Sequence, residues 1–255
     1  MIDIHSHILP LMDDGAESFE QALSMARIAV SEGIDIIVTT SHLQDINEQH
    51  INTYFELMQQ QSMQLQTLLD EQQIPIQLRS GAEIAIHPFL LTTAQITSIS
   101  IQRGHYLLLE LPPYWVLESI EHFIYSLRVK GFIPILAHPE RDRQIIENPN
   151  LLYQLVEMGA LSQITSSSIT GRFGTMIQKC ARTLVEHKMV HVVGTDAHSD
   201  RNRSPKMRES IKLLTRWVGI DQVRNMTEEF PRLILEDQLF TVSQPEEVRH
   251  RRWFK

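Results

Sequence analysis

Met1-Ile2-Asp3-Ile4-His5-Ser6-His7 opens the chain. A short apolar run leads directly into two histidines with one residue between them. In a strand, residues two apart share a face, so both imidazoles can reach one metal ion. The run 190–195 leads likewise into Asp196-Ala197-His198. Between these ends lie runs at 34–40, 76–82, 105–111, 132–137 and 161–165. With 1–4 and 190–195 they make seven short segments rich in Ile, Val and Leu, mostly continuous rather than alternating. That pattern predicts parallel strands buried on both faces.

The stretches between them read as helices. Ser18 is placed to cap one, with Gln21 as its capping-box partner and Gly33 as its end. Ile51, Tyr54, Phe55, Met58, Ser62, Leu65 and Leu69 fall on one stripe of 3.6 period. Shorter stripes are Ile120, Phe123, Ile124 and Leu127 before Gly131, Leu151, Leu155 and Val156 before Gly159, and Ile177, Ala181, Leu184 and Val185. Strands alternating with helices predict an α/β barrel or a doubly wound sheet. A single barrel domain over 1–255 suits the length better. From about Asp221 one or two further helices are expected, followed by a basic patch at Arg249, His250, Arg251 and Arg252.

Composition narrows the function classes. Apolar residues make up 42% of the 255 and charged residues 21%, ordinary for a chain with a real core. The net charge of −8 disfavours non-specific nucleic-acid binding. No run is long and apolar enough for a membrane span, so no membrane insertion is expected. One cysteine excludes a disulfide scaffold and a thiolate metal cluster, and suits a reducing compartment. The opening lacks the basic start and apolar stretch of a signal peptide, so the expectation is a cytoplasmic protein that begins at Met1.

In parallel α/β folds the active site lies at the carboxyl ends of the strands. Those ends carry His5 and His7, then His42, Glu83, Glu110, His138, and finally Asp196 and His198. The sixth, ending at Thr165 and a run of serines, offers no strong ligand. A lone histidine at a strand end is usually just a satisfied polar group. Glu83 and Glu110, however, sit in apolar surroundings, where an unpaired carboxylate is costly. Salt bridging is the alternative, but Arg79 is the only obvious partner. Convergence on one rim favours a metal site. Nitrogen and oxygen donors exclude iron–sulfur and cysteine-type zinc, and suit Mn²⁺, Fe²⁺, Co²⁺ or Zn²⁺. The ligands are too many for one ion, so two or three ions with a bridging carboxylate are expected.

Arg141 and Arg203 lie just beyond His138 and His198. Their rigid forks match phosphate oxygens, although either could instead serve a surface salt bridge. Several metal ions together with arginines point to phosphoester hydrolysis. Cys180 lies in a helical stripe, and position 186 is Glu rather than the Arg a cysteine phosphatase needs, so it reads as core. His50, His122, His187 and His250 read as solvated and His191 as lying on the opposite rim. His87 and His105 stay open.

At these residues the chain resembles a known family. The opening His5-Ser6-His7-Ile8-Leu9-Pro10 with Asp13-Asp14-Gly15 is similar to the PHP (polymerase and histidinol phosphatase) superfamily. More narrowly it resembles the manganese-dependent protein-tyrosine phosphatases of bacterial capsule and exopolysaccharide loci, the CpsB/CapC type. Supporting stretches are Gly81-Ala82-Glu83-Ile84, Leu109-Glu110-Leu111-Pro112, His138-Pro139-Glu140-Arg141, Gly171-Arg172-Phe173-Gly174 and Thr195-Asp196-Ala197-His198, in the family's order.

The resemblance implies a distorted seven-stranded, TIM-barrel-like α/β barrel holding three metals. It divides the ligands into His5, His7, Glu83 and Asp196 for one ion, Glu83, Glu110 and His138 for a second, and Asp14, His42 and His198 for a third. Asp13 competes with Asp14 for that last role, and Asp14 is favoured. Arg141 and Arg203 match the phosphate-binding arginines, and His42 or His198 would organise a proton donor. The implied cofactor is Mn²⁺, and the implied substrate is phosphotyrosine in the C-terminal tyrosine cluster of a partner tyrosine kinase that regulates polysaccharide export. The chain departs from the family's Thr-Pro-His-His at Thr40-Ser41-His42-Leu43, from its Gly-Ile at Leu11-Met12, and from its small residues at Ser166-Ser167-Ser168. Three alternatives are a phosphatase of a small molecule such as histidinol phosphate, an amidohydrolase, and a metal-dependent regulatory partner of a kinase without turnover. Oligomeric state and the physiological metal stay open.

Overall fold

Strands form at all seven apolar runs, and two further strands follow the second and third of them. The computed structural model describes residues 1–249. Within these residues the strands are β1 (Ile2–Ser6), β2 (Ile36–Thr39), β3 (His42–Leu43), β4 (Gln77–Ser80), β5 (Glu83–Ala85), β6 (Tyr106–Glu110), β7 (Ile133–Ala137), β8 (Leu161–Thr165) and β9 (Val192–Gly194). All pairings are parallel, in two sheets ordered β1-β2-β4 and β3-β5-β6-β7-β8-β9.

The seven expected strands thus appear as nine segments in two sheets among the described residues. The reason is a double bend. β2 pairs with β4 up to Thr39 and Ser80, pairing lapses at Thr40-Ser41 and Gly81-Ala82, and β3 and β5 resume it in the same register from His42 and Glu83. One side chain ties both bends together: the Tyr54 hydroxyl lies 2.9 Å from the Ser41 carbonyl and 3.1 Å from that of Gly81. The two sheets curl toward each other at their far edges. Ser6 pairs with Ala197 in a parallel bridge, the Asp196 amide donates to the His5 carbonyl, and the His7 amide donates to that of Ala197.

The helices are α1 (Phe19–Glu32), α2 (Glu48–Glu71), α3 (Leu117–Val129), α4 (Arg143–Glu147), α5 (Asn150–Glu157), α6 (Ser166–Ile169), α7 (Thr175–Glu186), α8 (Arg208–Val218), α9 (Ile220–Arg224) and α10 (Phe230–Leu235), the last two joined by one π turn. Ser18 caps α1 by accepting from the Gln21 amide, and Gly33 ends it at φ +86°. The stripe expected in α2 buries Ile51, Tyr54, Met58, Leu65 and Leu69, while Phe55 and Ser62 are only partly covered. The helix stripes pack on the outer faces of the strands and form the larger core. A second cluster, with Ile2, Ile4, Val38, Tyr106, Leu108, Ile133, Ile135 and Val192, fills the concave side, and Ile234 of α10 closes it. Beyond α10 the chain crosses beneath β6, where the Tyr106 hydroxyl donates to the Gln238 carbonyl. Of the basic patch, Arg249 is exposed, whereas His250, Arg251 and Arg252 lie outside the described residues.

One irregularity decides where the first histidines point. β1 and β2 shift register between the Asp3–Ile37 and Ser6–Thr39 pairs. Such a bulge reverses which face successive side chains occupy. Ile2 and Ile4 pack into the concave cluster, and after the shift His5 and His7 reach the same side.

Candidate metal centre

Glu83 is the hub of the site. It is buried, and its Oε2 lies 3.1 Å from His5 Nε2, 3.1 Å from His7 Nε2 and 3.2 Å from His42 Nδ1. Its other oxygen accepts from His138 Nε2 at 2.7 Å. Asp196 Oδ1 lies 3.6 Å from His5 Nε2, 3.5 Å from His7 Nε2 and 3.5 Å from His198 Nδ1. On the open side, exposed Asp14 faces His198 Nε2 at 3.4 Å and His42 Nε2 at 3.8 Å. Half-buried Glu110 stands 3.9 Å from both His42 Nδ1 and His138 Nε2. All nine ligand candidates thus gather at one mouth, with both candidate arginines among them.

Three overlapping groups have donor atoms mutually within 4.8 Å. They are His5, His7, Glu83 and Asp196, then His7, Asp14, His42 and His198, then His42, Glu83 and Glu110. The first has the membership expected. The second adds His7 to the expected trio, and the third holds His42 where His138 was expected. The difference follows from His138 being hydrogen bonded to the Glu83 oxygen that points away from His42.

The donor set fits divalent cations on two observations. Glu83 Oε2, His42 Nδ1 and His198 Nε2 are buried without a hydrogen-bond partner, an expensive state unless a cation takes up the lone pairs. His5 and His7 present Nε2 to Nε2 at 3.1 Å, while their Nδ1 atoms are held by Gln163 Oε1 at 2.8 Å and Asp13 Oδ2 at 2.7 Å. Those oxygens accept, so each Nδ1 carries a proton and each Nε2 is left facing the carboxylates Glu83 and Asp196, which hold protons on both rings; a cation would take the place of the Nε2 proton. This is the outer-sphere pattern that fixes metal-binding histidines.

Electrostatics follow the same plan. Burial opposes ionisation of Glu83, but the neighbouring His5, the hydrogen bond from His138 and the closeness of His7 outweigh it and hold the carboxyl well below the usual range. Burial likewise opposes ionisation of Asp196, and His5, His7, His138 and Arg203 overcome it. Burial, then the charge of His7, pushes His198 down to about 4, so it is neutral at pH 7 and free to ligate.

Backbone conformation aims these groups. His138 and Asp196, each just beyond a strand, have φ of +34° and +51°. Such conformations cost free energy and persist where the surroundings enforce them. Two glycines allow the crowding: a Cβ at Gly194 would stand 2.7 Å from that of His5, and one at Gly15 only 2.2 Å from the His7 carbonyl oxygen.

Arg141 Nη1 and Arg203 Nη2 both donate to Asp196 Oδ2, at 2.6 and 2.7 Å. The Arg141 guanidinium also lies over the Phe173 ring, 5.2 Å from its centroid.

Some residues around the site support the ligand candidates in ways the sequence reading did not anticipate, including Asp13, which it weighed as a rival to Asp14. Asp13 has both oxygens taken up by hydrogen bonds, accepting from His7 Nδ1 and from the His42 and Gly15 amides. Gln163, from the strand read as ligandless, holds His5. Its signal was an amide within a fully buried strand, Leu161-Ser162-Gln163-Ile164-Thr165. Buried Asp3 joins β1 to β9, accepting from the Thr195 amide and hydroxyl and the His5 amide, and burial raises it to about 6 against those bonds. Buried Glu140 accepts from the Thr165 amide at 3.0 Å. Of the open histidines, His105 pairs with Asp237 and His87 caps a short 3₁₀ turn. His191 is buried at the opposite end of β9, accepting from the Ser162 amide.

Comparison with known proteins agrees with this geometry. Residues 1–236 match the family described as capsular polysaccharide synthesis, CpsB/CapC. The chain is 38% identical over 259 residues to the tyrosine-protein phosphatase YwqE of Bacillus subtilis, covering 100% of this chain and 99% of the relative. It is 27% identical over 245 residues to the tyrosine-protein phosphatase CpsB of Streptococcus pneumoniae, covering 94% and 100%. A crystal structure from work on YwqE and CpsB, termed unique metal-dependent tyrosine phosphatases, superimposes with a TM-score of 0.90 at 37% identity, covering 98% of this chain and 100% of that one.

Proposed function

This chain belongs to the CpsB/CapC family of capsular polysaccharide synthesis, and we propose that it is a metal-dependent tyrosine-protein phosphatase. The observation that carries the reading is Glu83: one buried carboxylate shared by two donor groups that overlap with a third, with two arginines converging on the neighbouring Asp196. The relatives named as tyrosine-protein phosphatases, at 38% and 27% identity, do not favour the small-molecule alternative.

We assign His5, His7, Glu83 and Asp196 to one cation, Asp14, His42 and His198 to another, and Glu83 and Glu110 with His42 or His138 to a third. Manganese is the proposed metal. Bound cations would supply Lewis acidity and lower the pKa of a coordinated water. The chain's own residues do the rest. Arg141 and Arg203 orient the phosphate and neutralise charge on its equatorial oxygens. Their planar forks suit two oxygens each. The leaving tyrosine has a pKa of about 10, so it needs little protonation. His42, at the solvent edge of the cluster, is the residue we assign to organise that proton.

We read the two sheets as one distorted seven-stranded barrel in which β2 with β3, and β4 with β5, each form a single bent strand. The chain is taken as one phosphatase domain, cytoplasmic, acting on phosphotyrosine of a tyrosine kinase. No helix among the described residues is long and apolar enough to cross a membrane.

Hydrolysis of para-nitrophenyl phosphate and of a phosphotyrosine peptide tests the proposal. Chelator-stripped protein should be inactive and Mn²⁺ should restore it. Undiminished turnover after stripping would overturn the scheme.

A further inference from the structure

Two open depressions flank the site, and their walls differ in chemistry. One, of about 440 Å³, is bounded by Asp13, Asp14 and Asp45 together with His42 and His50. The other, of about 660 Å³, begins at Glu110, His138 and Arg141 and continues onto Ile86, Leu111 and Pro113. Gln44 borders both.

A tyrosyl phosphate has a dianion at one end and a flat apolar ring at the other. The first depression sets three carboxylates and no arginine or lysine against the dianion, with Met12 and Leu43 as its apolar wall, whereas the second balances Glu110 and Asp142 with two arginines. The second offers arginine at the metal end, Arg143 along its edge and an aliphatic surface beyond. Its far lip is fixed before any ligand arrives. Pro112 and Pro113 lock their own φ angles. Buried Trp115 donates its indole N–H to Asp142 Oδ2 at 2.9 Å, and the Gln144 amide donates to the Trp115 carbonyl at 3.2 Å. A preformed lip avoids the ordering cost that a mobile one would impose on binding.

We propose that this second depression seats the phenyl ring of the phosphotyrosyl substrate, with Ile86 and Leu111 as the surface that selects aryl over alkyl phosphate esters. A seryl or threonyl phosphate reaches the same arginines but places no ring on that surface. The assignment rests on the phosphatase reading and adds where the leaving group lies and which residues choose it.

The test uses the full chain loaded with Mn²⁺, comparing wild type with Ile86→Trp, which fills the depression, and Pro113→Asp, which charges its exposed lip. Calorimetry measures binding of phenylphosphonate, a non-hydrolysable aryl probe, against inorganic phosphate, which has no ring. Kinetics measure KM for a phosphotyrosine peptide. Ile86→Trp should weaken phenylphosphonate and raise KM at least tenfold, with inorganic phosphate affinity unchanged within twofold. Pro113→Asp should act in the same direction by a few fold, and it decides the matter if the tryptophan variant does not fold. Aryl binding unchanged in the folded variants overturns the assignment. So does an equal loss for both probes, because the residues would then act on the anion rather than the ring. Failure of wild type to hydrolyse the phosphotyrosine peptide removes the phosphatase reading itself. Wild-type turnover with insensitive variants removes only the ring site.

Discussion

The Nε2 atoms of His5 and His7 face each other across 3.1 Å, and each ring turns its Nδ1 to a different oxygen acceptor. Asp13 can only accept, so the proton of His7 sits on Nδ1, and Gln163 Oε1 sets the same tautomer in His5. In their neutral, metal-binding forms the two Nε2 lone pairs would repel unless a cation drew them together. Asp13→Asn removes the charge that fixes the His7 tautomer and raises its basicity. Outer-sphere changes of this kind cost about 10- to 100-fold in metal affinity. Mn²⁺ titration by calorimetry should show that loss with the fold intact by circular dichroism. An unchanged dissociation constant would show that Asp13 serves only the loop at Gly15.

What the sequence made legible follows from what a strand end must expose. Glu83 and Glu110 stood out because charged side chains interrupt apolar runs, and His5 and His7 because their spacing matches the strand repeat. The bulge within β1 was not legible. It arises from how β1 meets β2 and leaves no mark in residues 2–6, yet it turns both histidines inward. The strands at His42 and Glu83 were also missed, because each is too short to show a pattern and exists only through pairing across the double bend. Gln163 was not legible either, because a lone amide in an apolar strand is a poor ligand and its role is to hold the His5 ring.

Cys180 should be dispensable. Burial, with Glu140 and Asp142 adding to it, pushes its thiol up to about 12, so almost none is thiolate at neutral pH. Cys180→Ala should keep metal-dependent turnover within about twofold, and iodoacetamide should leave the native enzyme active. A loss well beyond tenfold would bring back cysteine-based chemistry.

His191 predicts a component of acid sensitivity away from the metal centre. It is buried and pushed down to about 4 by desolvation, and its Nδ1 accepts from the Ser162 amide. In the unfolded chain the ring protonates near pH 6.5. Between about 6.5 and 4 the unfolded state therefore binds the extra proton, and stability falls as pH falls through that window. Below about 4 both states are protonated and the component is spent. Its full size is on the order of 3 kcal/mol. Denaturant unfolding at pH 7, 5.5 and 4.5 should show a shallower decline for His191→Gln than for wild type. Equal slopes would mean that His191 does not contribute.

Arg141 and Arg203 predict unequal responses to lysine. Both donate to Asp196 Oδ2, at 2.6 and 2.7 Å, so either alone leaves that carboxylate a cationic partner. Their remaining N–H groups are available to phosphate. A hydrogen bond to a charged group contributes about 1.5–3 kcal/mol, or roughly 10- to 150-fold in kcat/KM for an alanine variant. Arg141 additionally lies over Phe173, a contact that depends on a planar cation for its stacking. Arg141→Lys should therefore lose most of what Arg141→Ala loses, while Arg203→Lys should retain more. Because the two share one acceptor, the double alanine variant should fall short of the product of the single effects. Strict multiplicativity would show that the arginines engage phosphate independently and that their meeting at Asp196 has no bearing on turnover.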